Sequence, residues 1–132
     1  SMSKDPSTKV GAVLARDREV VALGFNGFPP GVEDNDRLLD RAQKYELVVH
    51  AELNALLRAG SSARGTTLYL YKLPPCLGCA KHVIAAGVRE IVYHEEPPAR
   101  WADEVAKARA LLAEAGVPVR RAWIGAPRVH EG

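Results

Sequence analysis

At 132 residues the chain has the length of a single domain with one buried core. Hydrophobic residues make up 47%, charged residues 26%, and the formal net charge is +2, the balance of an ordinary soluble globular protein with no strong nucleic-acid footprint. No run of about 18 apolar residues and no charged-then-apolar leader occurs, so neither a membrane span nor a secretory signal is read, and the cytoplasm is the expected compartment.

Asp5-Pro6-Ser7-Thr8 reads as a turn into the apolar run Val10 to Ala15. Arg16-Asp17-Arg18-Glu19 is a charged turn, and Val20 to Phe25 follows as a second apolar run, which predicts a hairpin. Small residues at Gly11, Ala12, Ala15, Ala22 and Gly24 predict close packing of helices on this pair. Asn26-Gly27-Phe28-Pro29-Pro30-Gly31 is too rich in breakers to be anything but loop, and from the residues alone Asn26-Gly27 reads as a turn. The charged stretch from Val32 to Tyr45 suits an exposed flap or short helix. A helix opens at His50 and stops at Gly60, Thr66 to Tyr71 has strand composition, and a second helix runs from about Leu77 to Ala86 with Gly87 as its stop. Val88 to His94 reads as a strand, Trp101 to Ala115 as a helix ended by Gly116, and Val117 to Ile124 as an edge strand that tolerates Pro118. The order β-β-α-β-α-β-α-β predicts an α/β fold, a mixed sheet covered by helices on both faces. One domain over residues 1–125 and a flexible tail over 126–132 are expected.

Chemistry concentrates in two stretches. His50-Ala51-Glu52-Leu53-Asn54 supplies an imidazole, a carboxylate and an amide, and Pro74-Pro75-Cys76-Leu77-Gly78-Cys79 holds the only two cysteines. One His and two Cys are ligands that zinc favours, with a fourth tetrahedral position left for water, which is the pattern of catalytic rather than structural sites. The prolines ahead of Cys76 favour a turn into a helix, Cys79 lies three residues on and so on the same face, and amide N–H groups at a helix N-terminus favour thiolates. Taken singly, Cys-x-x-Cys also describes a redox pair, and a lone His on a helix is more often an ordinary surface or core residue. Together, separated by the rest of one helix and one strand, they match the His-x-Glu and Pro-Cys-x-x-Cys pattern of zinc-dependent nucleobase deaminases. Glu52 is expected to shuttle protons without binding the metal.

These residues resemble the cytidine deaminase-like superfamily and, within it, the deoxycytidylate (dCMP) deaminases. The resemblance runs from about Ser3 to Tyr93. It rests on Asp5 to Val13, Gly24 to Gly31, His50-Ala51-Glu52-Leu53-Asn54-Ala55 and Pro75 to Lys81, with the asparagine loop and Asn54 pointing to the dCMP branch. It implies a three-layer fold around a five-stranded sheet, one zinc held by His50, Cys76 and Cys79, and Glu52 as proton shuttle. It further implies substrate contacts from Asn26, near base or phosphate, from Asn54, near the sugar, and from Ala51 and Pro75. Homo-oligomers are implied as well, in some relatives hexamers regulated by deoxynucleoside triphosphates. Relatives carry a helix ahead of the Asp5-Pro6 segment, so a partner or further chain is expected to cover the sheet surface that helix would occupy. Leu77-Gly78 is less polar than is common in dCMP deaminases, and with both cysteines used no soft ligands remain for the second zinc that some relatives bind.

The expected reaction is hydrolytic deamination of dCMP to dUMP with release of ammonia. Deamination of a free nucleobase, a nucleoside or a guanine-type purine uses the same metal chemistry, and Lys9, Lys72 and Lys81 are unresolved candidates for a phosphate contact. A tRNA- or DNA-editing deaminase is disfavoured by the charge balance, and a non-catalytic zinc or redox module by Glu52.

Overall fold

The structure, a computed structural model, describes residues 11–27, 31, 50–71 and 73–123. Five strands form one sheet in the order β2-β1-β3-β4-β5: β1 Ala12–Arg16, β2 Glu19–Gly24, β3 Thr67–Leu70, β4 Glu90–Tyr93 and β5 Val119–Arg121. β1 is antiparallel to both its neighbours, whereas β3, β4 and β5 run parallel, so the sheet is mixed as expected. Among the described residues three α-helices connect the strands: α1 Ala51–Ala59 between β2 and β3, α2 Leu77–Ala86 between β3 and β4, and α3 Ala102–Glu114 between β4 and β5.

The hairpin is tighter than the four-residue charged turn expected from Arg16 to Glu19. Arg16 and Glu19 are paired in the ladder, and the chain reverses over Asp17 and Arg18, both at positive φ (52° and 72°). Positive φ at both central residues matches the right-handed twist of the flanking strands, which is why such two-residue turns prevail in hairpins. Arg16 then reaches across to the carbonyls of Ser62 and Arg64, at 2.6 and 2.9 Å.

The period of two along each strand sorts the side chains by face. Ala12, Leu14, Ala22, Leu68, Leu70, Ile91 and Tyr93 join one buried cluster with Ala51, Ala55 and Leu56 of α1, Ala80 and Val83 of α2, and Ala108 and Leu112 of α3. All three described helices therefore cover the same face. The element order predicts helices on both faces, and among the described residues no helix covers the opposite one; the Val32 to Tyr45 flap, the 126–132 tail and the turn at Asp5-Pro6 lie outside the described residues. Gly87, at φ 83°, ends α2 in the left-handed conformation, and its N–H returns to the carbonyl of Ile84 at 3.0 Å.

This topology places the site. β2 and β3 each lie antiparallel to β1, so they point the same way, and the helices that follow them start at the same edge of the sheet. Open sheets of this kind bind ligands at the carboxyl ends of their strands, where connections diverge.

No described helix is long and apolar enough to cross a membrane.

Candidate metal and catalytic site

His50 is the N-cap of α1 and Cys76 the N-cap of α2, both in extended conformation (φ −66°, ψ 150° and φ −74°, ψ 171°). Pro74 and Pro75 ahead of Cys76 are buried, and they lock the approach to the helix. The Cys76 sulfur closes its own terminus by accepting from the Cys79 N–H at 3.4 Å. The Leu77 N–H donates to Glu104 Oε2 at 3.3 Å, and His82 Nδ1 meets the Gly78 carbonyl at 2.7 Å.

α1 is closed from elsewhere in the chain. Asn26 Oδ1 accepts from the Ala51 N–H at 2.7 Å, and Asn54 Nδ2 donates to the Phe25 carbonyl at 2.5 Å. One turn further along the same helix face, the Arg58 guanidinium stands 5.6 Å from the centre of the Phe25 ring. The loop after β2 is thus stitched to α1 at His50-plus-one, plus-four and plus-eight. Beneath it the contact is close: a Cβ added at Gly24 would lie 2.0 Å from the Ala51 carbonyl oxygen, and one at Gly11 would lie 2.8 Å from the Ala51 Cβ. The small residues of the hairpin are what let the first turn of α1 rest on the sheet.

The two helix starts bring the donors together. His50 Nδ1 lies 3.4 Å from the Cys79 sulfur and 3.8 Å from the Cys76 sulfur, and the three donor atoms all fall within 4.8 Å of one another. For a tetrahedral ion with bonds of about 2.3 Å to sulfur and about 2.1 Å to nitrogen, the nitrogen–sulfur edge is about 3.6 Å. The donor set and its spacing fit zinc. It is the one such group of three among the described residues.

The electrostatics agree. Hydrogen bonding from the Cys79 thiol, and next from His50, pulls Cys76 down to about 3, which favours its thiolate form. Cys79 is pushed up, chiefly because its proton is shared with Cys76 and then because it is buried. The Cys76 contact also raises His50, against the opposing effect of burial. Glu52, half-buried in the first turn of α1, is raised first by burial, while its own backbone N–H and His50 pull the other way. A carboxyl held above its usual range beside a metal-ligand cluster is suited to taking up protons from a neighbouring group.

Of the other expected site residues, Asn26 is exposed and half its amide is committed to the Ala51 N–H, while Asn54 commits its nitrogen to Phe25. Ala51 is buried with its N–H already engaged, and Pro75 is buried directly before Cys76. Lys81 is exposed on α2, and Lys9 and Lys72 lie outside the described residues. The sequence reading missed Arg58 and Glu104. Arg58 was within reach, being four residues beyond Asn54 and so on the same helix face, whereas nothing local in the sequence links Glu104 to Leu77.

A family profile described as the cytidine and deoxycytidylate deaminase zinc-binding region matches residues 1–95. The chain is 36% identical over 122 residues to an uncharacterized deaminase encoded in the luxG 3′ region of Aliivibrio fischeri, covering 90% of this chain and 82% of that one. It is 37% identical over 134 residues to the deoxycytidylate deaminase of Homo sapiens, covering 90% and 70% of the two chains. Among solved structures, the dCMP deaminase of cyanophage S-TIM5 in complex with dCMP and dUMP superposes with a TM-score of 0.66 at 30% identity, over 86% of this chain and 81% of that one.

Proposed function

The chain belongs to the cytidine and deoxycytidylate deaminase family, a family of zinc-dependent deaminases, and within it we propose that it converts dCMP to dUMP by hydrolysis, releasing ammonia. The observation that carries this reading is the meeting of His50, Cys76 and Cys79 at one point with Glu52 two residues from the imidazole. Likeness to a dCMP deaminase whose complex contains both dCMP and dUMP supports the nucleotide as substrate.

When bound by His50, Cys76 and Cys79, zinc supplies the Lewis acid that makes water nucleophilic near neutral pH. Glu52 takes a proton from the attacking water as its oxygen bonds to the ring carbon bearing the amine, and passes that proton to the adjacent ring nitrogen. It then receives the second proton of the water and delivers it to the amine nitrogen. The carbon–nitrogen bond breaks, ammonia leaves, and the ring carbon becomes a carbonyl. The raised proton affinity of Glu52 favours its uptake of each proton from the water.

For the substrate we assign the Asn26 amide nitrogen as a donor and the Asn54 carbonyl oxygen as an acceptor, the atoms opposite those the two side chains commit to Ala51 and Phe25. Ala51 and Pro75 form the apolar floor of the same site. We further propose that the chain self-assembles, which the mass in solution reads directly, and that it acts in the cytoplasm.

Ammonia release from dCMP, deoxycytidine, cytosine and guanine tests the assignment. A rate on dCMP well above the other three is expected. Equal rates on all of them would overturn the nucleotide reading, and activity confined to guanine would turn it to a purine.

A further inference from the structure

We propose that Glu104 is a positioning residue for the metal site: reaching over from α3, its carboxylate holds the backbone N–H of Leu77 and so fixes the short linker between the two cysteine sulfurs. The inference rests on the zinc reading above.

Cys76 has to leave an extended approach and turn its sulfur to within 3.8 Å of His50 Nδ1. The two residues before it, Pro74 and Pro75, have no N–H with which to anchor that approach. The peptide that follows Cys76 does, and its N–H is the one Glu104 accepts at 3.3 Å. Two other N–H groups of the turn are engaged within the motif, that of Cys79 by the Cys76 sulfur at 3.4 Å and that of Ala80 by the Cys76 carbonyl at 2.8 Å. The linker's second residue is held too, through the Gly78 carbonyl and His82 Nδ1. Leu77 thus has its anchor in a different helix, and that anchor is an anion at a helix N-terminus, where negative charge is favoured. Glu104 is half-buried and touches a backbone group, and it is not a member of the ligand cluster. Outer groups that orient metal ligands typically change metal affinity by about ten- to a hundredfold when removed.

Two variants remove the bond from opposite ends. Glu104→Met keeps the aliphatic stem and loses the acceptor, while Glu104→Gln keeps an acceptor oxygen. Leu77→Pro removes the donor at the first helical position, where proline is tolerated, and the extended Cys76 conformation already suits a following proline. The readout is zinc release from the loaded protein to a chromogenic chelator, with the absorption of the cobalt-substituted protein as a second probe of the sulfur ligands. Release about tenfold faster is expected for Glu104→Met and for Leu77→Pro, with no further gain in the double variant and near-wild-type release for Glu104→Gln. A shifted thiolate-to-cobalt band should accompany the faster release. Wild-type release from either Glu104→Met or Leu77→Pro, or equal acceleration by Gln and Met, would overturn the proposal while leaving the zinc site standing. A wild-type protein that takes up no zinc would overturn the zinc reading itself and this inference with it.

Discussion

The two helix starts that build the site are closed in different ways. α2 is closed largely from within: Cys76 caps with its own sulfur a peptide three residues away, behind a pair of prolines that admit few other conformations. α1 has no side-chain cap of its own, and the acceptor for its first N–H is Asn26, 25 residues earlier in the chain. The cysteine half is a local motif, and the histidine half is an assembly. Ligands on a locally closed turn can be placed by a short stretch of sequence, whereas His50 and Glu52 reach their positions only once the hairpin, its loop and the helix have packed together.

The largest expected effect falls on the assembled half. His50→Ala removes a third of the ligand set, and zinc per chain and ammonia release should both drop to background. Retention of a full equivalent of zinc would mean that the metal is held elsewhere. Glu52→Gln separates chemistry from metal binding: activity should fall about a hundredfold or more while zinc stays bound, because the variant removes the proposed proton shuttle and keeps the three ligands. Activity within a few-fold of wild type would remove Glu52 from the reaction.

Gly24→Ala attacks the seat of α1. Its Cβ would lie 2.0 Å from the Ala51 carbonyl oxygen, a backbone atom that can yield only if the helix moves. A loss of about 1–3 kcal/mol, typical of overpacking, is expected in denaturant unfolding of the zinc-free protein, with weaker zinc binding alongside it. An unchanged midpoint would show that α1 does not need this close approach. Asn26→Ala should cost about 1 kcal/mol as a lost cap. Asn26→Asp keeps the acceptor for Ala51 but loses the amide nitrogen, so it should recover stability without recovering activity on dCMP. Recovery of both would leave Asn26 a cap alone.

The smallest effect is one of pH. Burial raises Glu52 above its ordinary 4.5, so the folded state binds that proton more tightly than the unfolded chain does. The stabilisation is full below the ordinary value and is lost as pH rises through the folded one, which makes the ionised carboxylate a cost to the fold at neutral pH. Zinc-free Glu52→Gln should therefore melt higher than zinc-free wild type at pH 7, with the difference vanishing towards pH 4. A gap that does not change with pH would sink the assignment of burial as the cause.

The two halves were also unequally legible. The bounds of α2, from Leu77 to a stop at Gly87, follow from the prolines, the helix formers and the glycine, and the structure places them there. The sequence predicts both strands of the hairpin but a four-residue turn where Asp17 and Arg18 alone make it, because charge marks a turn without saying which residues remain in the ladder. From the residues alone Asn26 is half of an Asn-Gly turn, and its bond to Ala51 exists only because the fold brings the two together.

By itself the sequence determined the kinds of donor, their placement at helix starts, and the alternation of strands and helices, since all of these depend on short-range sterics and hydrogen bonding. Only the tertiary structure decided that the two starts meet. That depends on β2 and β3 flanking β1 in the same direction, on two glycines thin enough to seat α1, and on a carboxylate from α3 at Leu77. Contacts of this kind join residues far apart in the chain, and no local pattern records which distant partner will arrive.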